Sequence, residues 1–163
     1  RRGEERFVRR VADVVVGDST TIDYTSLLES YAIDRVQLVI LHPPYHDIIQ
    51  FSGHGADLSN APTVDTFVEK FAVVVARTRE ILAPKRYLAV VIGDKYHNGE
   101  WIPLGFRIMQ TVMAQGCTLK SIVVKNLDRT RAKREQQALW RYRALAGGFY
   151  VFKHEYIFVF QTP

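Results

Sequence analysis

The residues with the most chemistry in them follow a buried apolar run. Leu38-Val39-Ile40-Leu41-His42-Pro43-Pro44-Tyr45 takes a strand-like stretch straight into two prolines and an aromatic. Proline fixes φ and removes the backbone donor, so the pair makes a rigid, projecting corner with carbonyls free to accept. Acceptors of this kind suit an exocyclic amine, because hydrogen bonds to its protons aim the nitrogen lone pair at an electrophile. Tyr45 adds a flat face on which an extruded base stacks. Such a site works by orientation and electrostatics and needs neither a metal nor a strong base.

Other chemistry-bearing residues carry less. His42, His46, His54, Asp47 and Asp57 lie close in sequence, but their spacing fits no standard zinc pattern. His97 and Asn98 fall in a turn and require no function. Trp101 is expected to pack under the helix that follows it. Cys117, the single cysteine, excludes an internal disulfide and any cysteine-based zinc cluster. It reads as a small buried residue near a helix end.

The elements that must hold the corner are legible from periodicity. Val14–Val16 reads as a short strand ending at Gly17–Asp18, and Tyr24–Tyr31 as a short helix. Val36–Leu41 is a buried strand, and His46 to Asn60 a loop. Val64, Phe67, Val68, Phe71, Val74, Val75, Thr78 and Leu82 recur at helical spacing, with Pro62 suiting the first turn and Pro84 marking the end. Tyr87–Ile92 is the next strand, stopped at Gly93–Asp94. Pro103 opens a second helix, which Gly116 closes. Thr118–Val124 and Tyr156–Phe160 are the last strands, the final one apolar on both faces and therefore interior. Alternation of this kind predicts an α/β layered domain with a largely parallel sheet. Ligands of such sheets bind beyond the carboxyl ends of the strands. Gly17–Asp18, His42–Tyr45 and Gly93–Asp94 fall at those ends.

At this point the residues resemble a family. His42-Pro43-Pro44-Tyr45 is similar to the Asp/Asn/Ser-Pro-Pro-aromatic motif of S-adenosylmethionine-dependent N6-adenine and N4-cytosine DNA methyltransferases. Gly17-Asp18-Ser19 stands before it at the usual distance and Asp57-Leu58-Ser59-Asn60 after it. Ala89 to Asp94, Trp101 to Phe106 and His154 to Phe160 follow in family order, so the likeness covers nearly the whole chain. The resemblance implies a partial Rossmann-like sheet, mostly parallel with a C-terminal antiparallel strand pair. It implies S-adenosylmethionine as cofactor and DNA as substrate. His42, Pro43, Pro44 and Tyr45 would form the target-base corner. Asp18 resembles the acidic residue near the cofactor's adenosine, and Asp94 is expected to border the same cleft. His154 and Glu155 are expected to be structural rather than catalytic.

The chain departs from the family at two places. His42 stands where members carry Asp, Asn or Ser; a neutral imidazole accepts through one nitrogen but becomes a pure donor when protonated. The family's glycine-rich cofactor loop has no counterpart, since Gly53, Gly55, Gly147 and Gly148 lie elsewhere. Either the chain is a truncated catalytic domain over residues 1–163, or a second chain supplies the cofactor half, or the cofactor is not bound in the usual way. A chain beginning at Arg1 rather than Met fits a processed fragment.

The net charge of +5 suggests a polyanionic partner. Positive charge gathers at Arg1 to Arg10, which reads as a linker, and more densely in residues 126–150 and their approach. There Lys125, Arg129, Arg131, Lys133, Arg134, Arg141 and Arg143, with Trp140 and Tyr142, form a basic insertion between two strands. It is expected to contact phosphates; otherwise it is a solvated helix face. No apolar run approaches the ~20 residues of a membrane helix, and no secretory signal precedes the first strand. A cytoplasmic location is the default. Missing strands would leave an open sheet edge, so self-association is expected. The leading functional expectation is a DNA amino-methyltransferase. The alternatives are a non-catalytic nucleic-acid-binding domain of the same fold and an RNA amino-methyltransferase.

Overall fold

The computed structural model describes residues 12–126, 137–148 and 153–163, and of residues 137–140 and 143 only the backbone. Asp23 caps the short helix α1 (Tyr24–Glu29), its carboxylate accepting the Ser26 N–H. Strand β1 (Val36–Leu41) follows and runs into the corner. Single 3₁₀ turns at His46–Ile48 and Leu58–Asn60 punctuate the loop. Thr63 caps helix α2 (Val64–Glu80) by accepting from the Thr66 N–H.

The helix ends two residues before the expected Leu82, because Leu82 already pairs with Val36 of β1. Strand β2 (Leu82–Ile92) is therefore longer than the Tyr87–Ile92 expected. It tolerates Pro84 because the ladder is interrupted between Leu82 and Tyr87, with Lys85 at φ 59. A proline without a donor costs nothing where no ladder bond is made.

A hairpin of β3 (Lys95–His97) and β4 (Glu100–Ile102) comes next. Its turn places Asn98 at φ 50 and Gly99 at φ 85, the left-handed pair that a two-residue hairpin turn demands. The sequence reading had the turn and not the strands. Helix α3 (Leu104–Ala114), strand β5 (Thr118–Asn126), helix α4 (Gln137–Gly147) and strand β6 (His154–Gln161) complete the described chain.

The main sheet has the order β1-β2-β6-β5. β1 and β2 are parallel, and β6 is antiparallel to both of its neighbours. Three strands thus point one way and β6 alone runs back, as the mostly parallel reading required. β6 is interior to the sheet, consistent with its apolar residues on both faces.

One face of this sheet is packed. Leu88, Val90 and Ile92 of β2 and Phe158 and Phe160 of β6 meet Phe67, Phe71 and Val75 of α2 and Leu104, Ile108 and Val112 of α3. Cys117 is buried just after Gly116 at φ 86, as expected. On the opposite face Leu38 is 53% exposed and Ile40 63%; no described element covers them. Val14–Val16 is a correction: it is not a strand. Among the described residues no neighbour flanks it to supply a ladder, and Val14 and Val16 lie in solvent. No described helix is long and apolar enough to cross a membrane.

Candidate active site

Chain direction brings the site together. β1 and β2 end side by side, Leu41 pairing with Val90. β6 runs the other way, so its first residues arrive at the same edge, where Ile92 pairs with Tyr156. Lys125, near the end of β5, pairs with Glu155. The Pro-Pro-Tyr corner, Gly93–Asp94, Glu155 and Lys125 therefore share one end of the sheet.

At the corner Pro43 is buried and His42 exposed. The Tyr45 ring lies against Gly93, so closely that a Cβ there would sit 2.9 Å from Cε2. Its hydroxyl donates to Glu155 Oε2 at 2.5 Å, across a sequence separation of 110. Burial first, then the Glu155 hydrogen bond and charge, hold the phenol protonated well above its usual range. The His42 and Tyr45 ring centroids are 6.2 Å apart and tilted by 49°. Glu155 also accepts from Lys125 Nζ at 2.5 Å. Burial pushes the Glu155 carboxyl up, but the hydrogen bonds from Lys125 and Tyr45 and the Lys125 charge bring it net below its ordinary value.

A second polar cluster follows at once. His46 is buried at φ 57 and packs against Phe67 at 5.8 Å between ring centroids. Its Nε2 lies 2.8 Å from the Ala61 carbonyl and its Nδ1 2.8 Å from Lys95 Nζ. A carbonyl only accepts and an ammonium only donates, so Nε2 carries the proton and Nδ1 is bare. Lys95, itself buried, also pairs with Asp47. Burial pushes the Asp47 carboxyl up, yet the Lys95 hydrogen bond and charge lower it overall.

Asp94 faces inward. Its Oδ1 accepts the Gly105 N–H at 2.9 Å, and its Oδ2 accepts from Trp101 Nε1 and the Tyr156 hydroxyl, each at 3.3 Å. It fixes the first turn of α3, where Gly105 leaves no room for a Cβ: one would lie 2.7 Å from Tyr156 Cδ2. Trp101, expected in the core, is instead partly exposed and tied to Asp94. Asp18 is partly exposed in its own turn, with Oδ1 accepting from the Thr20 N–H at 2.8 Å and the Thr20 hydroxyl at 2.7 Å. Those bonds hold the carboxyl below its usual range. Arg77 of α2 docks this segment through the Thr21 and Ile22 carbonyls. Lys70 of α2 bonds the Gly55 carbonyl at 3.0 Å and contributes to the low Asp18 value.

The Asp57-Leu58-Ser59-Asn60 segment proves to be a brace. Asp57 accepts from Ser52, from the Ser59 N–H and from the Ser59 hydroxyl, while Asn60 Nδ2 ties the Ser52 and His54 carbonyls. Of the basic residues, Arg129, Arg131, Lys133 and Arg134 lie outside the described residues, as does the side chain of Arg143. Arg141 is exposed on α4. Sequence reasoning missed the parts played by Gly93, Lys95 and His46, and took Glu155 as structural. For Lys95 and Glu155 a signal existed: each is a charge set beside a long apolar strand, and such a charge is rarely buried unpaired.

No family model matches the chain and no curated protein matches its sequence. Solved structures do share its fold. TTHA0409 of Thermus thermophilus, described as a DNA modification methylase, aligns in its complex with S-adenosyl-L-methionine at TM-score 0.58 and 19% identity, over 91% of this chain and 54% of that one. PvuII DNA methyltransferase, cytosine-N4-specific, aligns at TM-score 0.60 and 16% identity, over 90% of this chain and 47% of its own. The chain spans about half the length of the structures it matches. It has the α/β fold of these methyltransferases.

Proposed function

We propose that this chain is the catalytic half of an S-adenosylmethionine-dependent DNA amino-methyltransferase acting on N4 of cytosine or N6 of adenine. The observation that carries the reading is Tyr45: it ends a rigid two-proline corner, seats on Gly93 and has its hydroxyl held by Glu155. That corner stands at the strand ends of a sheet with the fold of DNA-modifying methylases.

In this reading the extruded base stacks on Tyr45. The Pro43 carbonyl and a His42 ring nitrogen accept hydrogen bonds from the amine and direct its lone pair, and the proton displaced by the methyl group leaves to solvent. S-adenosylmethionine, when bound, supplies an electrophilic methyl group. Asp18 fits as an acidic contact for that cofactor, being ionised and partly exposed. Asp94 does not fit that role, because both of its oxygens are engaged within the fold; we assign it to holding α3. Lys125 and the basic residues Arg129, Arg131, Lys133, Arg134, Arg141 and Arg143 are assigned to the DNA backbone, where each contact would add to the salt dependence of binding.

The test is methylation of unmodified DNA by the whole natural protein with isotopically labelled S-adenosylmethionine, followed by mass spectrometry of the nucleosides. Labelled N4-methylcytosine or N6-methyladenine is expected. DNA binding with no labelled base would replace the enzyme by a non-catalytic DNA-binding domain, and label in RNA alone would move the substrate. Tyr45→Ala should depress methylation roughly 100-fold or more while leaving the thermal midpoint close to that of wild type. Equal losses in both would remove Tyr45 from the site.

A further inference from the structure

Strand β6 is apolar on both faces from Tyr156 to Phe160, yet its second residue, Glu155, is a buried carboxylate. Sinking an ionised carboxylate is unfavourable unless it is closely paired. Here the pairing is specific. One oxygen takes the Lys125 ammonium and the other the Tyr45 hydroxyl. We propose that Glu155 is the positioning residue of Tyr45, fixing where its ring lies for the base that stacks on it. The proposal rests on the methyltransferase reading above.

The geometry explains why such a residue is needed. The corner prolines set the backbone of Tyr45, but they leave its side-chain torsions free. The Cε2 edge of the ring occupies the space that a Cβ at Gly93 would need, which restrains rotation of the ring about its own axis without fixing where that axis points. A bond at the far end of the ring, from hydroxyl to Glu155, supplies the second point of attachment. Because Glu155 belongs to the antiparallel strand, that anchor comes from across β2 and not from the loop after the corner. Lys125 keeps the anchor an acceptor by holding it charged.

A residue acting this way should govern turnover and leave DNA capture alone. The experiment is steady-state methyl transfer from labelled S-adenosylmethionine to unmethylated plasmid DNA by the whole natural protein. It compares wild type with Glu155→Ala, Glu155→Gln, Tyr45→Phe and the double variant Tyr45→Phe/Glu155→Ala. For Glu155→Ala the expected result is a kcat lowered roughly 10- to 100-fold with the KM for DNA within about threefold of wild type. Tyr45→Phe should lose a comparable factor. The double variant should be no worse than the poorer single one, because both remove the same bond. Glu155→Gln keeps an acceptor oxygen for Tyr45 and should recover most of kcat. If Glu155→Ala fails to fold, Glu155→Asp, one methylene short of the hydroxyl, takes its place with the same expectations. A loss that falls on KM, losses that multiply in the double variant, or a Gln variant as poor as Ala would each overturn the positioning role. Wild-type protein that transfers no methyl group would overturn the parent reading and this one together.

Discussion

On one side of Tyr45 the buried partner of an ion pair is a cation, and on the other it is an anion. In the pair that follows the corner, the Lys95 side chain is 3% exposed and Asp47 46%. In the pair reached through the hydroxyl, the Glu155 side chain is 7% exposed and that of Lys125 53%. Each places one charge inside the fold and one at its rim. The interior charges differ in what else they hold. Lys95 donates to the bare nitrogen of His46 and so locks the loop, whereas Glu155 accepts from Tyr45 and so holds the ring. The first pair therefore belongs to the frame of the corner and the second to the ring that the corner carries.

Removing the rim partner from each pair measures that difference. Asp47→Asn leaves a buried ammonium with neutral acceptors alone, the imidazole nitrogen and an amide oxygen, and no counter-charge. Breaking a buried pair costs ~3–5 kcal/mol; with Asp47 half exposed and screened, about 2–3 kcal/mol is expected here. Urea denaturation reads it directly. A change within about 0.5 kcal/mol would mean that the loop is not held by this pair.

Lys125→Met should cost less, about 1–2 kcal/mol, because Glu155 keeps the Tyr45 bond and can neutralise itself. The pH dependence separates the two variants. In wild type both carboxyls are held below their ordinary values. Each then contributes stability that is full above the unfolded pKa and is lost as pH falls through the folded one. Without Lys125, burial should raise Glu155 above its unfolded value, reversing the sign, so that folding is favoured as pH falls. The deficit of Lys125→Met against wild type should therefore close across the ordinary carboxylate range. That of Asp47→Asn should begin to close only below the ordinary aspartate value and be gone where wild-type Asp47 itself takes up a proton. Parallel deficits at every pH would erase the distinction between the pairs.

The corner was readable in the sequence because its signals are local. Two prolines after an apolar run dictate a projecting turn whatever surrounds them, and the periodicities of α2, α3, β1 and β6 need no knowledge of partners. The interior place of β6 followed from its two apolar faces and its antiparallel pairing from the resemblance, whereas the order of the strands in the sheet was not read. What was not readable depends on contacts far apart in sequence. Tyr45 and Glu155 meet only because β6 runs antiparallel between β2 and β5. Asp94 looked like a cleft residue because it ends a strand, but the side chain turns to the α3 backbone. Val14–Val16 had the composition of a strand without a neighbour to pair with. The Asn98-Gly99 hairpin is the exception, since its turn chemistry was present in the sequence and its flanking strands were simply short.

The smallest expected effect on stability sharpens the comparison most. Gly93→Ala puts a methyl group 2.9 Å from Tyr45 Cε2, and the three atoms nearest to it all belong to Tyr45. Overpacking typically costs ~1–3 kcal/mol where the structure cannot yield. Tyr45 is a side chain at a half-exposed corner, so it yields by tilting, and about 1 kcal/mol or less is expected. Tilting draws the hydroxyl away from Glu155 while the Lys95 cluster stays intact. The folded variant should therefore keep the acid behaviour of the Asp47 pair and lose the part of Glu155's lowering that comes from Tyr45. Its Glu155 carboxyl should titrate higher than in wild type, which carbon-13 NMR of labelled glutamate resolves, with Asp47 unmoved. Movement of both carboxyls would show that the ring and the loop shift as one body, and that the corner has a single support rather than two.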